Sequence, residues 1–132
     1  MNHQVDDPTP DVMRFLTERH LATLTTTGAD GGPQVTPIGV TYDPATTTAR
    51  IITWATSVKA RNIARRPGQR VAVCQVDGGS WLTLYGTATV TDEPSAVAEA
   101  VARYAARYRQ PKERDDRVVI EIAVDRIVGT VR

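Results

Sequence analysis

The sequence predicts a mainly β protein, with strands forming the body and helices at its periphery. Three observations carry this expectation. Residues 21–27 and 81–90 each alternate between aliphatic or small side chains and threonine or aromatic ones, as strands with one buried face do. Glycine-rich turns, Gly28-Ala29-Asp30-Gly31-Gly32 and Asp77-Gly78-Gly79, join neighbouring segments as hairpins. The strand–helix–strand alternation of a doubly wound sheet is absent. Six to seven mostly antiparallel strands, with about three helices between them, close most readily into a small barrel that removes exposed edges.

Residues 1–9 read as a flexible arm and residues 10–132 as one domain. Pro10 suits the first position of a helix capped by Thr9, and Val12, Met13 and Leu16 give that helix an apolar side ending near His20. A strand over 21–27 follows, then a returning strand over 34–42 in which Pro37 requires a sheet edge or a bulge. Asp43-Pro44-Ala45-Thr46 turns the chain into a strand over 49–54 centred on Ile51 and Ile52. A short helix spans 58–66 and ends at Arg65-Arg66-Pro67-Gly68. Residues 71–76 form a short buried strand, and 81–90 the longer alternating one. Asp92-Glu93-Pro94 opens the longest helix, to about Tyr108, with Val97, Val101, Tyr104, Ala105 and Tyr108 as its apolar stripe. A charged linker over 109–117 leads to a strand over 118–124, which resumes over 126–131 after a bulge.

A net charge of +1 gives no overall bias toward nucleic acid or membrane. The cations are almost all arginine, fourteen against Lys59 and Lys112, a side chain suited to phosphate and carboxylate. Cys74 is the only cysteine and sits in an apolar run, where it reads as core packing. No apolar run reaches membrane-spanning length, and residues 1–9 lack a signal-peptide centre, so a soluble cytoplasmic protein is expected. Neither G-x-G-x-x-G after a strand nor G-x-x-x-x-G-K-[ST] occurs. His3 and His20, with one cysteine, do not supply a zinc site, and no nucleophile motif supports a triad on His20. An enzyme with so few catalytic side chains takes its chemistry from an organic cofactor.

The stretch from Thr53 to Ile63 is where such a group could sit. A strand ends there and a helix begins, with Thr56 or Ser57 as its N-cap. Helix N-termini offer free N–H groups and partial positive charge. Lys59 adds a full charge in the first turn, and Asn62 adds an amide on the same helix face. Together they fit a phosphate seat. By themselves they fit a capped surface helix with solvated polar groups at least as well.

The order of motifs settles more than any one of them. Phe15-Leu16-Thr17-Glu18-Arg19-His20-Leu21-Ala22, Thr41-Tyr42-Asp43-Pro44 and Ser57-Val58-Lys59-Ala60-Arg61-Asn62 follow one another along the chain. Cys74-Gln75-Val76-Asp77-Gly78, Trp81-Leu82-Thr83-Leu84-Tyr85-Gly86, Arg103-Tyr104, Arg107-Tyr108-Arg109 and Arg117-Val118-Val119-Ile120-Glu121 complete the series. In this order the chain resembles the split β-barrel flavin and deazaflavin oxidoreductases, the pyridoxamine-phosphate-oxidase-like superfamily. Within it, the chain is most similar to the small actinobacterial enzymes that use coenzyme F420, the biliverdin reductases among them.

The resemblance implies a homodimer with cofactor sites at the subunit interface. It implies that Lys59 and Asn62, with the backbone and hydroxyls of Thr56 and Ser57 and the neighbouring Ala60 and Arg61, hold the cofactor phosphate. Gln34 would lie beside the deazaflavin ring and Thr53 near it, with Gln75 in the same cofactor set. Trp81, Leu82 and Thr83 would reach across from the partner subunit. Arg61, Arg65 and Arg66, with Arg50 and Arg70, would form a basic lane for the polyglutamate tail. The expected reaction is hydride transfer from reduced F420 to a conjugated small molecule, biliverdin first among them. An FMN-dependent relative and a non-catalytic binder of F420, flavin or tetrapyrrole are the alternatives. Some relatives carry a basic residue where this chain has Ser57, so one charged phosphate contact is expected to be missing.

Overall fold

A computed structural model describes residues 1–132. The chain folds as β1 (Asn2–His3), α1 (Pro10–Thr17), β2 (Ala22–Thr27), β3 (Pro33–Ile38), β4 (Thr41–Asp43), β5 (Thr48–Trp54), α2 (Val58–Arg65), β6 (Gln69–Asp77), β7 (Ser80–Thr91), α3 (Pro94–Arg107) and β8 (Arg117–Thr130). All pairings are antiparallel, in the order β3-β2-β6-β7-β8-β5-β4, with β1 added beside β8. Eight strands form where six to seven were expected, because the returning strand over 34–42 breaks into β3 and β4 and the first residues add β1.

That break defines the architecture. β3 and β4 are the two edges of the sheet, yet they are consecutive in the chain. Gly39 and Val40 carry the backbone from one edge to the other, so the barrel is completed by covalent chain where no ladder runs. Pro37, which cannot donate to a ladder, lies on this edge strand as its chemistry requires. A Cβ on Gly39 would sit 2.9 Å from the Tyr104 ring and 3.0 Å from the Tyr108 ring, so any side chain there would push on both rings.

One buried arginine ties this crossing to the end of α1 and to β6. Arg107, 9% exposed, donates to Val40 O at 2.6 Å, Glu18 O at 2.9 Å, Phe15 O at 3.3 Å and Gln75 Oε1 at 2.7 Å. Its neighbour's hydroxyl, Tyr108 OH, donates to His20 O at 2.6 Å and accepts from Val40 N at 3.1 Å. Arg107 has no carboxylate partner; burial pushes its pKa down, although guanidinium remains charged in proteins.

Inside the barrel, alternate residues of the strands interlock. Leu24, Ile51, Leu82, Leu84, Ile120, Ile122 and Ile127 are fully buried together with Ile63 from α2. The bulge expected in the last strand falls where Tyr85 pairs with Arg126 but Gly86 pairs with Val124, leaving Asp125 as the extra residue. The first residues, read from sequence as an arm, lie along β8: Asn2 pairs with Val128, and His3 Nε2 is 2.9 Å from Gly129 O. The Tyr42 hydroxyl, buried, donates to Val5 O.

The apolar stripe of α3 is only half covered. Ala100 is its buried apolar residue, while Val97, Val101, Tyr104 and Tyr108 are partly exposed. The helix packs on β4, β5 and β8, and Val97 and Val101 line a cleft between it and residues 110–117.

Candidate anion-binding site

β5 ends at Trp54, where Ala55 N donates to Asp116 O at 2.9 Å and Ser57 N donates to Trp54 O at 3.0 Å. α2 starts immediately afterwards. Ser57 is its N-cap, its Oγ accepting from Ala60 N at 3.3 Å. Val58 and Lys59 therefore carry first-turn N–H groups with no helical acceptor.

Beside this junction lies a cavity of about 220 Å³. Ile38 and Gly39 form one wall, Thr53, Trp54 and Lys59 another, and Tyr104, Pro111 and Arg117 close it from α3 and the linker. Two of its polar groups lack partners. Thr53 is 2% exposed, and its hydroxyl makes no hydrogen bond. Lys59 pairs with no carboxylate; its Nζ rests 5.4 Å from the centre of the Trp54 ring, and burial lowers its pKa. The Arg114 guanidinium, held by Asp116, covers the same ring at 4.9 Å. An unpaired buried hydroxyl costs about 1–3 kcal/mol, and a desolvated ammonium is unfavourable without a counter-ion. An anion with several acceptor oxygens relieves both, in the positive field of the helix start.

The other expected site residues are placed as follows. Thr56 is exposed beside the helix start, and Ser57 has its hydroxyl proton left to donate. Ala60 is 2% exposed and can offer only backbone. Arg61 is exposed and unpaired, and no side chain of α2 or of Arg66 meets a carboxylate. Arg50 and Arg70 do not join that basic lane, because Glu99 and Asp125 engage them. Asn62 faces the barrel rather than the cavity: its Nδ2 donates to Thr26 Oγ1 at 3.1 Å, and its Oδ1 accepts from Arg65 at 3.1 Å. Gln75 is also away from the cavity, with Nε2 on Phe15 O at 2.7 Å and Oε1 on Arg107. Leu82 is fully buried in the core. Trp81 lies exposed on the outer face of the sheet beside Val76, and Thr83, on the same face beside Cys74, is buried. Gln34 is half-buried on the inward face of β3, its Oε1 accepting from Thr26 Oγ1 at 3.2 Å.

Tyr104, Gly39, Pro111 and Arg117 were not anticipated as cavity walls. The stripe on α3 was the available signal, since Tyr104 belongs to it, but periodicity does not tell a buried face from one lining a cleft.

An open antiparallel barrel with this strand order is a split barrel, and the candidate anion site lies at its strand-to-helix junction. Residues 8–130 match the family model described as pyridoxamine 5'-phosphate oxidase, and the chain belongs to that family. It is 49% identical over 120 residues to an F420H(2)-dependent biliverdin reductase of Mycobacterium tuberculosis (strain CDC 1551 / Oshkosh), covering 91% of this chain and 86% of that one. Among solved structures, a conserved hypothetical protein of Mycobacterium tuberculosis superposes with a TM-score of 0.76 at 23% identity, over 98% of this chain and 89% of its own. An F420 reductase superposes with a TM-score of 0.70 at 22% identity, over 87% of this chain and 94% of its own. These two likenesses carry the fold.

Proposed function

We propose that this chain is a coenzyme F420-dependent reductase that delivers a hydride to a conjugated small molecule, with biliverdin the first acceptor to test. The observation that carries the cofactor site is the convergence of unpaired Lys59 and the unpartnered Thr53 hydroxyl on one cavity at the start of α2. The 49% identical relative, named for its dependence on F420H(2), favours F420 over FMN. So does the charge of α2: F420 adds a polyanionic tail to its phosphate, and Lys59, Arg61, Arg65 and Arg66 stand there without an acidic residue between them.

Lys59, Thr53 and the N–H groups of Val58 and Lys59 would hold the phosphate, with Gln34 facing the ring. When bound, the reduced deazaflavin supplies the hydride. The work of the chain is to hold and orient two flat molecules and to exclude water. The cavity wall contains no carboxyl or imidazole; its ionisable side chains are Lys59, Tyr104 and Arg117.

The site is completed by a second copy of the chain. A cavity of about 220 Å³ is small for a dinucleotide-sized cofactor, since ligand pockets run to roughly 300–1,000 Å³. The outer face of the sheet offers the means. Leu21 is 67% exposed, Val76 66% and Trp81 40%, and they fall in one row because Ala22 pairs with Gln75 and Val76 with Trp81. This face supports a homodimer in which Trp81 approaches the partner's cofactor, whereas Thr83, 8% exposed, is already covered within its own chain.

Titration with oxidised F420 and with FMN, followed by fluorescence, tests the cofactor. Tight F420 and weak FMN binding is expected; a yellow protein releasing FMN on denaturation would reverse the assignment. Oxidation of reduced F420 by biliverdin no faster with protein than without would remove biliverdin as acceptor.

A further inference from the structure

A chain of side-chain hydrogen bonds runs from the surface of α2 to Gln34, and its direction is fixed by chemistry. Arg65 Nη1 lies 3.1 Å from Asn62 Oδ1, Asn62 Nδ2 lies 3.1 Å from Thr26 Oγ1, and Thr26 Oγ1 lies 3.2 Å from Gln34 Oε1. A guanidinium only donates, so Asn62 must turn its oxygen to Arg65 and its NH2 to Thr26. The Thr26 hydroxyl then accepts from Asn62 and has one proton left. Thr26 is 2% exposed and Asn62 3%, so that proton must find an acceptor, and Gln34 Oε1 is the one in reach. The reverse setting of Gln34 would press a second NH2 on the hydroxyl and strand its proton. Gln34 is therefore left with its Nε2 free to donate, and that group makes no hydrogen bond within the chain.

The position of this donor relates it to the cavity. Gln34 shares the inward face of β3 with Ile38, which lines the cavity wall. Four residues of strand separate them by about 13 Å. Asn62 lies one turn along α2 from Lys59. A ligand whose anionic end is held at Lys59 and whose body follows β3 brings its far end to Gln34.

We propose that Arg65, Asn62 and Thr26 are positioning residues that lock Gln34 as a hydrogen-bond donor, so that the bound ring must present an acceptor there: a carbonyl oxygen, an unprotonated ring nitrogen or an ionised hydroxyl. The inference rests on the F420 reading above. It makes Arg65 more than a member of the basic lane, since its role is to exclude the opposite polarity of a relay of three hydrogen bonds.

Nitrogen-15 NMR of side-chain amides, with and without oxidised F420, tests it together with binding titrations. In the wild type, the Gln34 NH2 pair should shift on F420 addition while the buried Asn62 pair stays protected from exchange. Thr26→Ser keeps the relay and should bind F420 within about twofold of wild type; Thr26→Val removes the hydroxyl and should weaken binding about tenfold. Arg65→Lys, still only a donor, should preserve the Gln34 signature. Arg65→Glu should reverse the relay and bring the Gln34 NH2 against Thr26, seen as protection from exchange in the free protein. Adding Thr26→Val to Gln34→Glu should weaken binding no further than Gln34→Glu alone. Wild-type protein that binds F420 with no movement of the Gln34 NH2 pair, or a folded Thr26→Val variant with wild-type affinity, would overturn the relay. Wild-type protein that does not bind F420 at all would overturn the cofactor reading instead.

Discussion

Replacing Lys59 with methionine should move ligand binding and stability in opposite directions. Methionine keeps an unbranched stem of similar volume against Trp54 but removes the charge and its three donors. A charge-assisted hydrogen bond is worth roughly 1.5–3 kcal/mol, so the Kd for F420 should rise about tenfold to 150-fold. The salt dependence of binding should flatten as well, because one phosphate-facing cation is gone. Stability follows a different sign. Burial lowers the Lys59 pKa in the folded chain below its unfolded value of 10.5. The unfolded chain therefore holds that proton more readily, and the charged ammonium weighs against folding at every pH below the folded pKa. Lys59→Met should then match or exceed the wild-type Tm at neutral pH without ligand, and the difference should vanish as pH rises toward 10.5. Calorimetry of the free protein and fluorescence titration with F420 give both readings. A variant with lower Tm and unchanged Kd would make Lys59 a packing residue instead.

Three other perturbations address the frame around the site. Arg107→Met should destabilise the fold by about 3–5 kcal/mol in urea denaturation, since it strips donors from buried acceptors at the seam, and Arg107→Lys should not restore it because an ammonium lacks the fork. Tyr42→Phe should cost about 1 kcal/mol and speed amide exchange in residues 2–5. The Tyr42 phenol, pushed up to about 12 by burial and by Asp43 and Asp6, ionises at 10.0 when unfolded, so its contribution holds below pH 10 and is lost as pH climbs to about 12. Gly39→Ala should cost about 1–3 kcal/mol by pushing on the Tyr104 and Tyr108 rings, and should weaken F420 binding because Tyr104 lines the cavity.

Local patterning made most of the fold legible. Thr9 and Pro10 start α1, Ser57 caps α2, and the alternation in β7 and the bulge in β8 fall where period and turn chemistry put them. The break at Gly39 was not legible, because the apolar residues of β3 and β4 run on as one strand would. What divides them is the approach of two tyrosine rings from α3, a long-range contact that no local period records. The same limit applies to the site. Lys59 could be read from its place in a helix's first turn, which is a local fact. That Asn62, one turn later, points into a buried relay depends on Thr26 and Arg65 standing on either side of it. Gln75 likewise is drawn to the seam by Arg107, thirty-two residues away in sequence.

A crystal structure with oxidised F420 bound shows where the phosphate is held. A phosphoryl oxygen is expected within hydrogen-bond distance of both Lys59 Nζ and Thr53 Oγ1, beside the free N–H groups at the start of α2. A phosphoryl group bound elsewhere, with Lys59 extended into solvent and the Thr53 hydroxyl still unpartnered, would contradict it.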